Sequence, residues 1–231
     1  PVILAGTTAV AKSVAIAASG ALTLNAAGSL TIEGSPSAGM LNQGTVTNNG
    51  GSLRIGPTSS PGSSGLVNQG TFNNNANGEV AIDRSSSIGL WNKAGATTLF
   101  ANAGKITVGG IANVGASGLY NEAVFQNNGG EIGVDRISGA SIYNLAGSSF
   151  VNTGKIAIGK IQISSGTAIY NFADFQNKSA GEISVDRANS GVFNNPGASF
   201  INEGKIAMGQ TTALTGPGIY NFGSLAMPAY F

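Results

Sequence analysis

Gly130-Glu131-Ile132-Gly133-Val134-Asp135-Arg136 returns almost letter for letter, as Gly78-Glu79-Val80-Ala81-Ile82-Asp83-Arg84 before it and Gly181-Glu182-Ile183-Ser184-Val185-Asp186-Arg187 after it. Between these copies lies a sibling with lysine in place of glutamate: Gly104-Lys105-Ile106-Thr107-Val108-Gly109, Gly154-Lys155-Ile156-Ala157-Ile158-Gly159 and Gly204-Lys205-Ile206-Ala207-Met208-Gly209. Arg84, Arg136 and Arg187 fall 52 and 51 residues apart, and Lys105, Lys155 and Lys205 fall 50 and 50 apart. Each unit thus holds one Glu copy and one Lys copy, which makes the chain a tandem array in which each repeat buries surface against its neighbours.

Working outward, each motif closes a segment that opens with a small residue, an aliphatic, usually an aromatic, and an asparagine. Examples are Gly118-Leu119-Tyr120-Asn121, Ser141-Ile142-Tyr143-Asn144 and Ala168-Ile169-Tyr170-Asn171, and eight such openings run from residue 39 to residue 221. A second short alternating segment is centred on Phe72, Phe100, Phe125, Phe150, Phe175 or Phe200, with Val46 in the first copy. Three period-two segments, each ended by glycine, asparagine or serine, predict three strands and three turns per repeat. The same pattern opens the array in Val14/Ile16, Leu22/Leu24 and Leu30/Ile32.

The expected fold is all-β: a single-stranded parallel β-helix (β-solenoid), right-handed given the length of its rungs, with three short strands per rung and about nine rungs. Residues 1–11 read as an N-terminal cap or edge strand and 12–38 as the first rung. Residues 39–217 read as a seven-rung β-helix with a two-rung repeat, and 218–231 as a partial final rung or C-terminal cap. The third corners of the Lys rungs, such as 159–167, are the longest loops and the natural place to display function. The chain reads as mature protein or as a piece of a longer array.

Composition narrows the function. Only 9% of the 231 residues are charged and the net charge is +1, so neither nucleic acid nor an anionic membrane is an expected partner. No stretch reaches the roughly 18 apolar residues of a transmembrane segment. With no cysteine and no histidine, thiolate chemistry and the commonest general base are missing, and no catalytic residue, cofactor site or metal site is assigned. Asp83-Arg84, Asp135-Arg136 and Asp186-Arg187 invite a catalytic reading, but they recur in alternate rungs. They read instead as turn-forming aspartates followed by solvated arginines, with Asp135 facing outward.

Stacking converts recurrence into ladders. Asn42, Asn68, Asn92, Asn121, Asn144, Asn171, Asn194 and Asn221 form one, and Asn48, Asn74, Asn102, Asn127, Asn152, Asn177 and Asn202 a second. Amides carry donors and acceptors, so such ladders can satisfy both corner backbone and the copies above and below. Glu79, Lys105, Glu131, Lys155, Glu182 and Lys205 alternate in sign along one face, which disfavours a one-rung slip. Trp91, Tyr120, Tyr143, Tyr170, Phe193 and Tyr220 form an outward aromatic stripe, a candidate self-association or glycan surface unless the long loops cover it.

In Gly65-Leu66-Val67-Asn68-Gln69-Gly70-Thr71-Phe72-Asn73-Asn74-Asn75, Gly154-Lys155-Ile156-Ala157-Ile158-Gly159 and Ser29-Leu30-Thr31-Ile32-Glu33-Gly34, the chain resembles the β-helical repeats of secreted Bacteroidota cell-surface proteins. More loosely, it resembles filamentous haemagglutinin-like adhesins. The resemblance implies export to the extracellular space or cell surface and a scaffold or adhesive role, with no catalytic residue to carry over. The expected function is a non-enzymatic rigid rod that joins end to end or laterally with further copies into a fibre or surface layer, its partners being itself or cell-surface glycans. The alternative is a carbohydrate-binding or polysaccharide-degrading β-helix that uses the aromatic stripe.

Overall fold

A computed structural model describes residues 2–226. Every strand is parallel to its partners, and the strands form three sheets of ten, nine and nine members that the chain visits in strict rotation. The first turn of the coil shows the order: β1 (Val2–Leu4), β2 (Thr8–Ala11), β3 (Val14–Ile16), β4 (Ala21–Asn25) and β5 (Ser29–Ile32). β1 pairs with β4 and β2 with β5, so residues 2–11 extend two of the sheets by one strand each. This is a parallel β-solenoid. No helix among the described residues is long and apolar enough to cross a membrane.

The three sheets differ in what they carry. An aromatic sheet is built from the asparagine-ending openings, such as Leu119–Asn121, and a phenylalanine sheet from strands such as Val124–Asn127. A charged sheet is built from the Glu and Lys motifs, such as Glu131–Val134. Strict alternation within each three- or four-residue strand sends one set of side chains inward and leaves the other outside. Inside, Phe72, Phe100, Phe125, Phe150, Phe175 and Phe200 are fully buried and stacked, with centroids 4.6 to 5.1 Å apart. The rung spacing of a parallel sheet is close to the stacking distance of aromatic rings, so one geometry satisfies both.

Both asparagine ladders are buried, except at Asn221. In the first, each Nδ2 donates to the next Oδ1 at 2.7 to 2.9 Å from Asn42 to Asn221, and in the second at 2.6 to 2.9 Å from Asn48 to Asn202. The amides also donate to corner carbonyls, as Asn127 does to Gly130 at 3.0 Å, so corners that leave the sheet ladders still find partners. All of these dipoles run the same way along the axis. They begin at Asn42 and Asn48 because Ile16 and Leu24 occupy the preceding positions, and the Oδ1 of Asn42 is left without a donor.

Two differences from the sequence reading concern the third corner. Gly159 to Thr167 is not all loop: Ser164–Asn171 is one strand with a bulge, and its first residues pair with Ala188 and Ser190. The displayed segment shrinks to residues 159–163, where Ile161 and Ile163 are exposed. The second difference is that Asp83, Asp135 and Asp186 are buried rather than outward, because strand alternation ends at the preceding valine or isoleucine and the next rung's loop lies over the carboxylate.

The Asp-Arg pair works as a staple between rungs. Asp135 Oδ1 accepts from the backbone N–H of Ile161 (2.8 Å) and Gln162 (3.2 Å) in the rung above, and Asp186 Oδ1 accepts from Thr211 N–H at 3.0 Å. Arg136 donates to the carbonyls of Gly109 and Gly110 in the rung below, and Arg187 to those of Gly159 and Lys160. The arginines are thus spent on backbone rather than solvated. The glycine that closes the Lys motif is required by this contact at positions 109 and 159: Gly109 has φ 71°, and a Cβ there would lie 1.9 Å from the Asp135 carbonyl oxygen, while one at Gly159 would lie 2.5 Å from that of Arg187. Asp83 uses its carboxylate differently, pairing with Arg54 of the preceding rung.

Asp135→Ala is expected to release the 159–163 loop without unfolding the coil, since two charge-assisted hydrogen bonds to one loop are lost. Tryptic cleavage after Lys160 should accelerate about tenfold or more, with Asp135→Asn in between because it keeps an acceptor. Limited proteolysis followed by mass spectrometry checks this.

Candidate functional site

The aromatic stripe runs along the outer surface of the aromatic sheet from Trp91 to Tyr220. It begins where the middle position of the aromatic sheet changes from aliphatic to aromatic: Val67 pairs with Trp91, and Tyr120, Tyr143, Tyr170, Phe193 and Tyr220 follow in register. Lys93 Nζ lies 4.9 Å from the Trp91 ring centroid and caps the first ring with a cation–π contact. Trp91 meets Tyr120 edge-on at 6.1 Å, whereas Tyr120 and Tyr143 stack at 4.7 Å and 11°. Further along, Tyr170 stacks on Phe193 at 4.8 Å and Phe193 on Tyr220 at 5.4 Å.

Two residues that the sequence reading passed over complete the stripe. Phe172 packs 5.3 Å from Tyr143 and 4.9 Å from Tyr170, and Phe222 packs 4.8 Å from Tyr220. Their signal was present in the recurrence of Tyr-Asn-Phe at 170–172 and 220–222. Strand parity hides it, because each Phe follows the ladder asparagine into the corner, where a two-residue period no longer predicts direction.

The rings from Trp91 to Phe193 are half-buried, while Tyr220 and Phe222 are 43% and 55% exposed. Much of the cover is mutual. Stacked neighbours occupy ring faces, so what the ladder offers outward is chiefly ring edge. None of the hydrogen bonds among the described residues uses a tyrosine hydroxyl. Burial raises the pKa of Tyr120 and Tyr143 above the ordinary phenol value, helped by the Glu122 carboxylate beside Tyr120 and by the flanking tyrosines beside Tyr143. Both shifts favour the uncharged phenol at these two positions. Beside it, Ala116, Ser117, Gly139, Ala140, Gly166 and Thr167 border an open groove of about 350 Å³ next to Tyr143 and Tyr170.

No protein family, curated protein or solved structure matches the chain. What is shown is the parallel β-solenoid, and the assignment of function falls to the chemistry of the surface.

The remaining sequence-selected residues lie elsewhere. Asn42, Asn68, Asn92, Asn121, Asn144, Asn171 and Asn194 are buried inside the coil, and Asn221 is exposed at its C-terminal end. Glu79, Lys105, Glu131, Lys155, Glu182 and Lys205 are Cα partners in unbroken sequence along the charged sheet. Only Lys205 and Glu182 approach within ion-pair distance among them, at 3.4 Å, and both are well exposed. Exposed pairs of this kind contribute about 0 to 1 kcal/mol, so the alternation acts on register more than on stability. Among the described residues no group of three or more Asp or Glu side chains is placed to hold a metal ion.

Proposed function

We propose that the chain is a non-enzymatic, extracellular structural or adhesive rod that associates laterally with further copies through its aromatic stripe. The observation that carries this reading is the ladder itself: contiguous aromatic surface, half-buried by its own packing, with no tyrosine hydroxyl engaged in a hydrogen bond among the described residues. About nine rungs at the strand spacing give a rod of about 40 to 45 Å, stiffened by the phenylalanine stack and the two amide ladders. A second rod can lay its own ladder against this one at the same spacing, so each ring meets a ring. Low charge supports the same reading, since little repulsion opposes contact between copies. The three Asp-Arg pairs, the obvious catalytic candidates, are engaged in holding neighbouring rungs, which supports a non-enzymatic role.

A carbohydrate-binding reading has one observation in its favour, the open groove beside Tyr143 and Tyr170. Against it, a sugar stacks on a ring face, and most faces here are taken by neighbouring rings. Sedimentation velocity at rising concentration decides between them. The native chain is expected to associate, and Tyr143→Ser/Tyr170→Ser is expected to weaken association about tenfold or more while the chain stays folded. A native chain that stays monomeric yet is retained on immobilised polysaccharide in a Tyr143- and Tyr170-dependent way would transfer the stripe to the glycan reading.

A further inference from the structure

In a tandem array most positions answer to stacking, so a place where copies depart from the pattern together serves something other than stacking. The middle outward residue of the charged strands is Thr31, Arg54, Ala81, Thr107, Ala157, Ser184 or Ala207, and only Gly133 has no side chain there. The residue after the corner glycine differs in each Lys rung, being Gly110, Lys160 and Gln210, and only Lys160 brings a charge. These two departures meet in space. Both line a surface groove of about 380 Å³ with Lys105, Glu131, Lys155 and Ile161, and with Thr107 at one side.

Nothing in the fold demands glycine at 133. Its backbone is not in the left-handed region, and a Cβ there would meet nothing nearer than the Thr107 methyl at 3.8 Å. A glycine inside a strand costs about 0.5 to 1 kcal/mol relative to alanine and often marks the close approach of a ligand. The far wall is held in place, because the buried Asp135 carboxylate accepts from Ile161 and Gln162 N–H and so fixes the loop that carries Lys160. Three lysines line the groove against one exposed carboxylate, Glu131, and the buried carboxylate of Asp135, which is spent on the loop. Neither the three lysines nor Glu131 belong to an ion pair among the described residues.

We propose that this groove binds an acidic sugar, a hexuronate unit of a polysaccharide lying on the charged sheet. The lysines take the carboxylate, Glu131 and Thr107 take ring hydroxyls, and the flat floor at Gly133 admits the face of the ring. Glu131 selects this class over a bare anion or an acidic peptide side chain, because a carboxylate among the lysines needs a ligand that also donates hydrogen bonds. The site lies on a different sheet from the aromatic stripe, and it stands or falls independently of lateral association.

Sodium glucuronate titrated into the full chain and followed by amide chemical shifts tests the proposal, with glucose and sulfate as comparison ligands. Glucuronate is expected to shift resonances around Gly133 and Lys160 and to bind at least about tenfold tighter than either comparison ligand. Lys160→Gly, which installs the residue found at position 110, should weaken binding about tenfold, and Gly133→Val should abolish it. Lys205→Ser, on the same face outside the groove, should change nothing. Failure of the native chain to bind glucuronate, equal binding of sulfate or glucose, or native affinity in Lys160→Gly would each overturn the assignment. Lys160 is in an exposed loop, so that variant keeps the test decisive even if Gly133→Val does not fold.

Discussion

Asn127→Ala is expected to destabilise the coil by about 3 to 5 kcal/mol, because truncation inside a buried amide ladder strands several partners at about 1 to 3 kcal/mol each. Asn127 accepts from Asn102 at 2.7 Å and donates to Asn152 at 2.7 Å and to the Gly130 carbonyl at 3.0 Å. The protein is sealed at this position, so water cannot replace the lost groups. Urea denaturation measures the loss, and a change under about 1 kcal/mol would mean that the ladder is satisfied by other means. Asn127→Asp sharpens the test. A carboxylate cannot donate to Asn152, whereas the protonated acid can, so the folded state favours the proton. The folded chain then binds more protons than the unfolded one, so stability falls as pH rises from the ordinary aspartate value of about 4 through the raised folded value, and the deficit is smallest below about pH 4.

Phe150→Ala is expected to cost about 3 to 5 kcal/mol and to split unfolding into two transitions. Phe150 is fully buried between Phe125 at 4.8 Å and Phe175 at 4.6 Å, and neighbours in a sheet ladder have no room to close the cavity. Each rung contacts only the rungs beside it, so a break there weakens the coupling between the two ends. Trp91 is the single tryptophan and lies on the N-terminal side of the break, which makes its fluorescence a reporter of that half. Far-UV circular dichroism should lose part of its amplitude before the Trp91 signal moves. Coincident transitions would show instead that the coil unfolds as one unit.

The array, its three strands per rung and both amide ladders were legible because in a parallel stack sequence register and spatial register are the same thing. Once Glu131 was aligned with Lys105 and Lys155, their pairing across the charged sheet followed from a single count. The corners were less legible. Asp135 and Phe172 follow the last residue of a strand, where alternation stops, so parity assigned one to solvent and overlooked the other. The extension of the strand ending at Asn171 back to residues 164–167 was missed for a related reason, since a bulge interrupts its period.

By itself, the sequence determined the solenoid, since a repeat this regular has only one way to bury its alternating residues, against copies of itself. What only the tertiary structure decided lies at the corners and on the outside. It buried the aspartates under loops from the next rung, turned the arginines back onto the rung below, and spent the aromatic faces on one another. It also brought Gly133 and Lys160, 27 residues apart in the chain, to one groove. Each outcome depends on how loops of unequal length settle over adjacent rungs, a three-dimensional contact that the strand period does not encode.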